Sequence, residues 1–506
     1  MSENDVFDLI VVGGGINGAG VARDAAGRGL KVLLCEKDDL GNWTSSASTK
    51  LIHGGLRYLE HYEFRLVKEA LMEREVLINA SPHIAWPLRF VLPHNSALRP
   101  AWMIRLGLFL YDWLGGPGQT LPKSCGVDLT RHEVGAPLQE NFKKGFIYSD
   151  GWVQDARLVV LCAQDARDKG AEILPRTRCV KAERKSDQWE AVLEDQKTGE
   201  QRTVRARLLI NAAGPWAKSF LSSSLGTDSA MDLRLVRGSH VVVPKLYDHD
   251  HAYIFQNPDK RIIFAIPYED DFTLVGTTDE DHGSDPSAAR ISDEEVRYIC
   301  ESASRYFKKS VSIEDVVWTY AGVRPLFDNG ETDASKTTRD YTVERDEKSG
   351  VAPALHIWGG KLTTYRKLAQ AVLKEACDLL GVADKPWTRD AVLPGGDLPE
   401  GSAGAMEREL LKQYPWLPQP LAYRFAKTYG AQAVDLLGDA ASPEDMGMNF
   451  GADFYEREVR YLVDREWAQT VEDILWRRTK MGLRLEASEV ETLRQWLDKN
   501  QGQAAA

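Results

Sequence analysis

The first residues that point to chemistry are Gly13-Gly-Gly15-Ile16-Asn17-Gly18 and, eighteen positions after the last glycine, Glu36. An apolar strand, Asp8-Leu-Ile-Val-Val12, runs into the glycines. A helix over 16–28 comes next, then Gly29 and a second apolar strand, Lys31-Val-Leu-Leu-Cys35. Strand, glycine turn, helix, strand and terminal acid in this order make a dinucleotide-binding unit. Gly13 permits the tight turn, Gly15 lets backbone approach a pyrophosphate, and Gly18 lets the helix pack close to the strand. The helix N-terminus offers unpaired N–H groups and a positive dipole end to phosphates. Glu36 stands where a carboxylate can accept hydrogen bonds from ribose hydroxyls. A glycine turn alone would fit a purely structural βαβ unit; the two strands and the acid distinguish this one.

Three further runs have residue types suited to a ligand. Thr44-Ser45-Ser46-Ala-Ser-Thr-Lys50-Leu51-Ile-His53-Gly54-Gly-Leu-Arg57-Tyr58 joins small hydroxyl residues to a glycine pair, a backbone that can lie flat against a cofactor. Residues 44–49 alone would also suit a plain loop. Arg207-Leu-Leu-Ile-Asn-Ala-Ala213-Gly214-Pro-Trp216 is a buried strand ending in small residues, where open α/β sheets take ligands. Leu355-His-Ile-Trp-Gly-Gly360-Lys361-Leu362-Thr363-Thr-Tyr-Arg366 repeats strand, glycine turn and helix.

The elements around these runs set their frame. A chain of 506 residues exceeds one core and predicts two or three domains. Apolar content of 43% and charged content of 27% are those of a globular protein. A net charge of −12 argues against nucleic acid as the main partner. The six cysteines are scattered, without a CxxC or a Cys/His cluster, so no metal site and a reducing compartment are expected. The acidic N-terminus carries no secretory-leader pattern, and no run approaches a membrane span. Residues 61–80 read as a helix. Pro82, Pro87, Pro93 and Pro100 break up the stretch after it. Arg99-Pro-Ala-Trp102-Met-Ile-Arg105-Leu-Gly-Leu-Phe109-Leu-Tyr-Asp-Trp113 is then a short apolar helix with Trp102, Leu106, Phe109 and Trp113 on one face. It suits either a membrane-interface element or a core helix. Residues 231–325 are rich in strands and predict a mainly antiparallel sheet. From Asp390 onward the chain is helical and polar, its tryptophans reading as packing residues.

Taken together, the glycine turn with Glu36, the Ser/Thr run with His53-Gly-Gly-Leu-Arg-Tyr58, Asn211-Ala-Ala-Gly-Pro-Trp216, Ala321-Gly-Val-Arg324-Pro and Gly359-Gly-Lys361-Leu-Thr-Thr-Tyr-Arg366 resemble the FAD-dependent glycerol-3-phosphate dehydrogenases nearly end to end. The resemblance implies an α/β fold: an FAD-binding Rossmann-like domain, an inserted mainly antiparallel-sheet substrate domain and a helical C-terminal domain. The expected partition is 1–80, 145–215 and 310–385 for FAD, 81–144 and 216–309 for a substrate and membrane-facing domain, and 390–506 for the C-terminal domain. It further implies non-covalent FAD, oxidation of sn-glycerol 3-phosphate to dihydroxyacetone phosphate, ubiquinone or menaquinone as acceptor, and peripheral binding to the cytoplasmic face of the inner membrane; a homodimer is expected, the oligomeric state being otherwise open. FAD contacts are expected at Gly13, Gly15, Ile16, Asn17, Gly18 and Glu36. Others are expected at Thr44, Ser45, Ser46, Lys50, Leu51, His53 and Gly54, and at Val180, Ala213, Gly214, Gly360, Lys361, Leu362 and Thr363.

On that reading a phosphate dianion must be held, best by arginine forks. Arg57 and Arg324 are the first candidates and Arg339 the third, although Arg339 equally suits a solvated surface; Tyr58 adds a hydroxyl. Hydride departure from C2 also requires a base and tolerance of alkoxide charge. Lys361 and His240 are the candidates, His240 being equally a structural strand histidine. The helix after Gly360 would aim N–H groups at the anionic edge of reduced flavin. Rival readings are a glycerophosphate oxidase using oxygen, an amine or amino-acid oxidase of the same fold, and a non-catalytic flavin- or lipid-binding protein.

Overall fold

The computed structural model describes residues 6–56, 59, 62–95, 98–116, 118–259, 261–283, 285–327 and 340–504. Among these, strands form two sheets. In the first, Val6–Val12 lies parallel between Val32–Cys35 and Gln201–Asn211, with Glu172–Leu174 and Ala354–Gly359 parallel beyond them. Tyr341–Asp346 closes one edge antiparallel, and Thr177–Arg184 and Trp189–Asp195 form a hairpin attached to Gln201–Asn211. The central strands are continuous apolar runs because both faces are covered. Helices Ile16–Gly27, Asp155–Asp168 and Tyr365–Leu380 pack their buried faces there.

The second sheet has ten strands and is antiparallel except where Ala85–His94 meets Ala252–Gln256. Helix Asp293–Ser304 packs into the core on one side, and helices Phe64–Ala80 and Ala101–Leu114 contribute to the core on the other. Its membership departs from the expected partition. Lys144–Val153 and Trp318–Phe327, expected with the FAD-binding segments, run in this sheet, paired with Ala85–His94 and Leu233–Pro244. The prolines at 87 and 93 do not break the chain as expected, but sit within the strand Ala85–His94. There Pro87 lies opposite Gly151 and Pro93 opposite Gly145 of Lys144–Val153, while Phe90 and Val91 pair with Ala252–Gln256 on the other side.

The C-terminal helices build their own core around Leu410, Phe425, Phe454, Leu462 and Ile474. Trp416 and Trp496 pack against it. Trp476 packs against it too, and also stacks on Trp318 of the second sheet at 4.2 Å. The helix Ala101–Leu114 is not enclosed as a core helix would be. It buries only Leu108 and Tyr111, while Trp102 is 66% exposed and Phe109 50%. No helix among the described residues is long and apolar enough to cross a membrane.

Candidate active site

A cavity of 570 Å³ runs along the carboxyl ends of the parallel strands and under the second sheet. Its first end is built by the glycine turn. Gly13 has φ +114°, and a Cβ there would lie 2.4 Å from the Ala212 carbonyl; a Cβ on Gly18 would lie 1.9 Å from the Gly13 carbonyl. The helix therefore sits against the turn only because both positions lack side chains, and its start is left open for a ligand. Gly13, Gly15, Ile16 and Asn17 line the cavity. The Ile16 N–H donates to Ser45 Oγ at 3.0 Å, joining the glycine turn to the Ser/Thr run. Glu36 also lines the cavity; its two oxygens accept from the N–H groups of Gly14 (2.7 Å) and Asp38 (2.9 Å). Burial pushes its pKa up, and these two donors oppose the shift. A carboxylate so held keeps lone pairs for ribose hydroxyls.

Thr44, Ser45, Leu51, His53, Ala213 and Gly214 line the middle of the cavity. Gly360, with φ +99°, faces Asn17 and Leu368, and the Asn17 amide donates to the Gly359 carbonyl at 3.3 Å. Gly360, Lys361, Leu362 and Thr363 all reach the cavity, and the turn Leu362–Thr364 that opens the next helix has no side-chain cap. The His53 N–H donates to Thr363 Oγ1 at 3.2 Å, tying the two loops.

Several expected cofactor contacts are placed elsewhere. The Lys50 ammonium is buried against Asp155 at 2.8 Å and over the Tyr320 ring at 4.9 Å, and it does not line the cavity. Ser46 bonds the Trp43 carbonyl at 3.2 Å. Gly54 donates its N–H to Tyr111 Oη (2.8 Å) and Asp150 Oδ1 (3.2 Å); a Cβ there would meet Tyr111 and Leu71. Val180 lies beside Arg178 and Cys179, which do line the cavity. Gly18 acts through its packing on the Gly13 carbonyl.

Arg324 enters from the strand Trp318–Phe327 and lines the cavity with Thr277 and Asp279. It donates to Thr277 Oγ1 at 2.9 Å and pairs with Asp279. Gly238 on the neighbouring strand makes room: a Cβ there would lie 2.4 Å from the guanidinium. His240 stands behind the wall rather than in it. It is fully buried, stacks on Tyr320 at 4.7 Å, and its Nε2 lies 3.0 Å from the hydroxyl of Thr49, which does line the cavity. Burial, with help from the charges of Arg324 and Lys50, holds it neutral. Arg57, Tyr58 and Arg339 lie outside the described residues.

Sequence reasoning missed Asp279 and Thr277, although a carboxylate closing the strand-like Thr273-Leu-Val-Gly-Thr-Thr-Asp279 was a usable signal. It also missed Asp150. This buried carboxylate lines the cavity, accepts from Tyr111 Oη at 2.6 Å and from Arg74 at 3.1 Å, and is pushed up in pKa by burial. Its partners come from separate elements, so only the fold unites them.

Comparison with known proteins agrees with this geometry. Residues 8–379 match the family model of FAD dependent oxidoreductases, and residues 386–498 match the C-terminal domain of alpha-glycerophosphate oxidase. The chain is 50% identical to the aerobic glycerol-3-phosphate dehydrogenase of Escherichia coli (strain K12), covering 97% of both chains. It is equally 50% identical to a D-erythritol 1-phosphate dehydrogenase of Brucella abortus (strain 2308), covering 98% of this chain and 99% of that one. The glycerol-3-phosphate dehydrogenase of Bacillus halodurans, solved with FAD, superposes with a TM-score of 0.76 at 27% identity, over 98% of this chain and 91% of that one.

Proposed function

The chain belongs to the FAD-dependent oxidoreductases, in the branch of the glycerol-3-phosphate dehydrogenases, and on that premise we propose that it oxidises sn-glycerol 3-phosphate to dihydroxyacetone phosphate and hands the electrons to a membrane quinone. The observation that carries this reading is one cavity lined by the dinucleotide turn, Glu36, Lys361 and Arg324 together. Gly13, Gly15, Ile16, Ser45 and Glu36 would hold the FAD pyrophosphate and ribose. FAD, when bound, supplies the hydride acceptor.

Arg324 takes the substrate phosphate. Asp279 and Thr277 orient its guanidinium before the ligand arrives, so little is spent ordering it. Lys361 lines the same cavity and, as the candidate base that remains there, would accept the C2 hydroxyl proton as the hydride leaves. His240 keeps Thr49 in register rather than touching substrate. The uncapped turn at Leu362 and Thr363 would offer its N–H donors to the flavin end of bound FAD. The exposed tryptophans and phenylalanine of Ala101–Leu114 support a peripheral seat on the lipid surface.

Anaerobic titration of the purified yellow protein with sn-glycerol 3-phosphate tests this reading through the flavin band at about 450 nm. Bleaching, with fast recovery on adding a quinone and slow recovery in oxygen, is expected. Bleaching by D-erythritol 1-phosphate alone would reassign the substrate, the equally similar Brucella relative being named for that compound. Fast recovery in oxygen would make the protein an oxidase.

A further inference from the structure

The loop after Glu36 forms the outer wall of the cavity at its adenosine end, through Lys37, Gly41, Asn42 and Trp43. One side chain of this loop points the other way. The Asp39 carboxylate is 1% exposed and is buried against the C-terminal domain. Arg478 grips it with both terminal nitrogens, at 2.6 and 2.7 Å, and Arg477 adds Nε at 2.5 Å. Arg478 is itself fully buried and also donates to the Glu466 carbonyl, from Nη2 at 2.7 Å and Nε at 3.0 Å.

A second tie reaches the same loop by another route. Arg176, in the turn before the strand Thr177–Arg184, donates its N–H to the Asp38 carbonyl at 2.7 Å, and the Thr177 N–H donates to the Glu36 carbonyl at 2.6 Å. The Arg176 side chain grips Asp473 of the C-terminal domain at 2.8 and 2.9 Å, and Asp473 also pairs with Arg477. Three cations converging on Asp473 hold it ionised, well below the usual carboxylate range, despite its burial. The stretch 36–39 is therefore fixed on its outer side by residues 473–478, either directly or through Arg176. The wall of the adenosine subsite depends on a domain more than four hundred residues away in sequence.

We propose that Asp473, Arg477 and Arg478 are positioning residues for the cofactor. By locking Asp39 and Arg176, they hold Glu36 and the 37–43 wall in the shape that grips the adenosine half of FAD, so that docking of the C-terminal domain and retention of FAD are one linked equilibrium. Such linkage is reciprocal. The bound cofactor tightens the C-terminal domain, and loosening that domain releases the cofactor.

The test uses the full-length protein stripped of flavin and reloaded, comparing wild type with Arg478→Met and Arg477→Gln. Affinities for FAD, AMP and FMN are read by flavin fluorescence and calorimetry. FAD and AMP affinity are expected to fall about tenfold or more while FMN affinity, which needs no adenosine subsite, stays unchanged. With FAD saturating, kcat stays at the wild-type value. Unchanged FAD affinity, or an equal loss of FMN affinity, would overturn the proposal and leave these residues as ordinary domain glue. Arg477→Gln keeps the two Arg478 bonds to Asp39 and decides the question should Arg478→Met not fold.

Discussion

Arg324 illustrates how much of the site rests on single positions. Its guanidinium reaches the cavity because Gly238 lacks a side chain, and it is aimed because Asp279 and Thr277 hold it. Removing a charge-assisted donor from a bound phosphate costs about 1.5–3 kcal/mol. Arg324→Ala should therefore lower kcat/KM about ten- to hundred-fold, with the yellow flavin retained. Steady-state kinetics beside the absorbance ratio of flavin to protein check this, and near-normal kinetics would remove Arg324 from the phosphate site. Gly18 makes the opposite prediction. The added methyl of Gly18→Ala would fall on the Gly13 carbonyl, so the purified variant should contain little FAD while Arg324→Ala contains its full share. Both residues were legible in the sequence, because glycine spacing and an arginine between glycine and proline are local patterns. Asp279, Asp150 and Asp39 were not, since their partners are fixed by pairing between distant segments.

At the scale of the element, the helix Ala101–Leu114 separates two functions along its faces. Leu108 and Tyr111 join the core shared with Phe90, Tyr148 and Ile254, and Tyr111 also holds Asp150 and Gly54. Trp102, Leu106, Phe109 and Trp113 face outward, with the Lys123 ammonium 3.4 Å over the Trp113 ring. Leu108→Ala should cost about 2–5 kcal/mol of stability, as buried leucine truncations do. Denaturant titration reads it. Trp102→Ser with Phe109→Ser should leave that stability unchanged but release the protein from anionic lipid vesicles in a flotation assay. Vesicle binding equal to wild type would exclude this face as the lipid contact. Periodicity identified the apolar helix and its tryptophan face. It could not tell which side would be covered, because that depends on the sheet the helix meets.

At the scale of the whole molecule, the C-terminal domain is wired into the rest through buried polar groups. Arg157 pairs with Glu466, the Leu393 N–H donates to the Ala80 carbonyl at 2.8 Å, and His83 sits against Gly395 and Gly430. Burial, assisted by the nearby Arg157 charge, lowers the His83 pKa from 6.5 to about 3. Between these values the unfolded chain binds a proton here that the folded chain refuses. Stability from this group is complete above pH about 6.5 and is lost as the pH falls through that window. His83→Gln should make the acid loss of stability shallower by roughly one proton across the window. Denaturation midpoints measured at several pH values would show it, and an unchanged slope would place the acid sensitivity in other groups such as His240.

The sequence alone determined the chemistry-bearing turns, the strand and helix that flank them and the family they point to. Each of these rests on contacts between residues close in the chain: glycine spacing, apolar runs and the acid that ends a strand. Only the tertiary structure decided which side chains share the cavity. Lys50 turned away to Asp155, His240 withdrew behind Thr49, and Asp279 arrived beside Arg324. The reason is physical. A strand pairing or a domain contact brings together residues hundreds of positions apart, and the burial that results fixes where each charge can point. Neither register nor burial can be read from residue type at a single position.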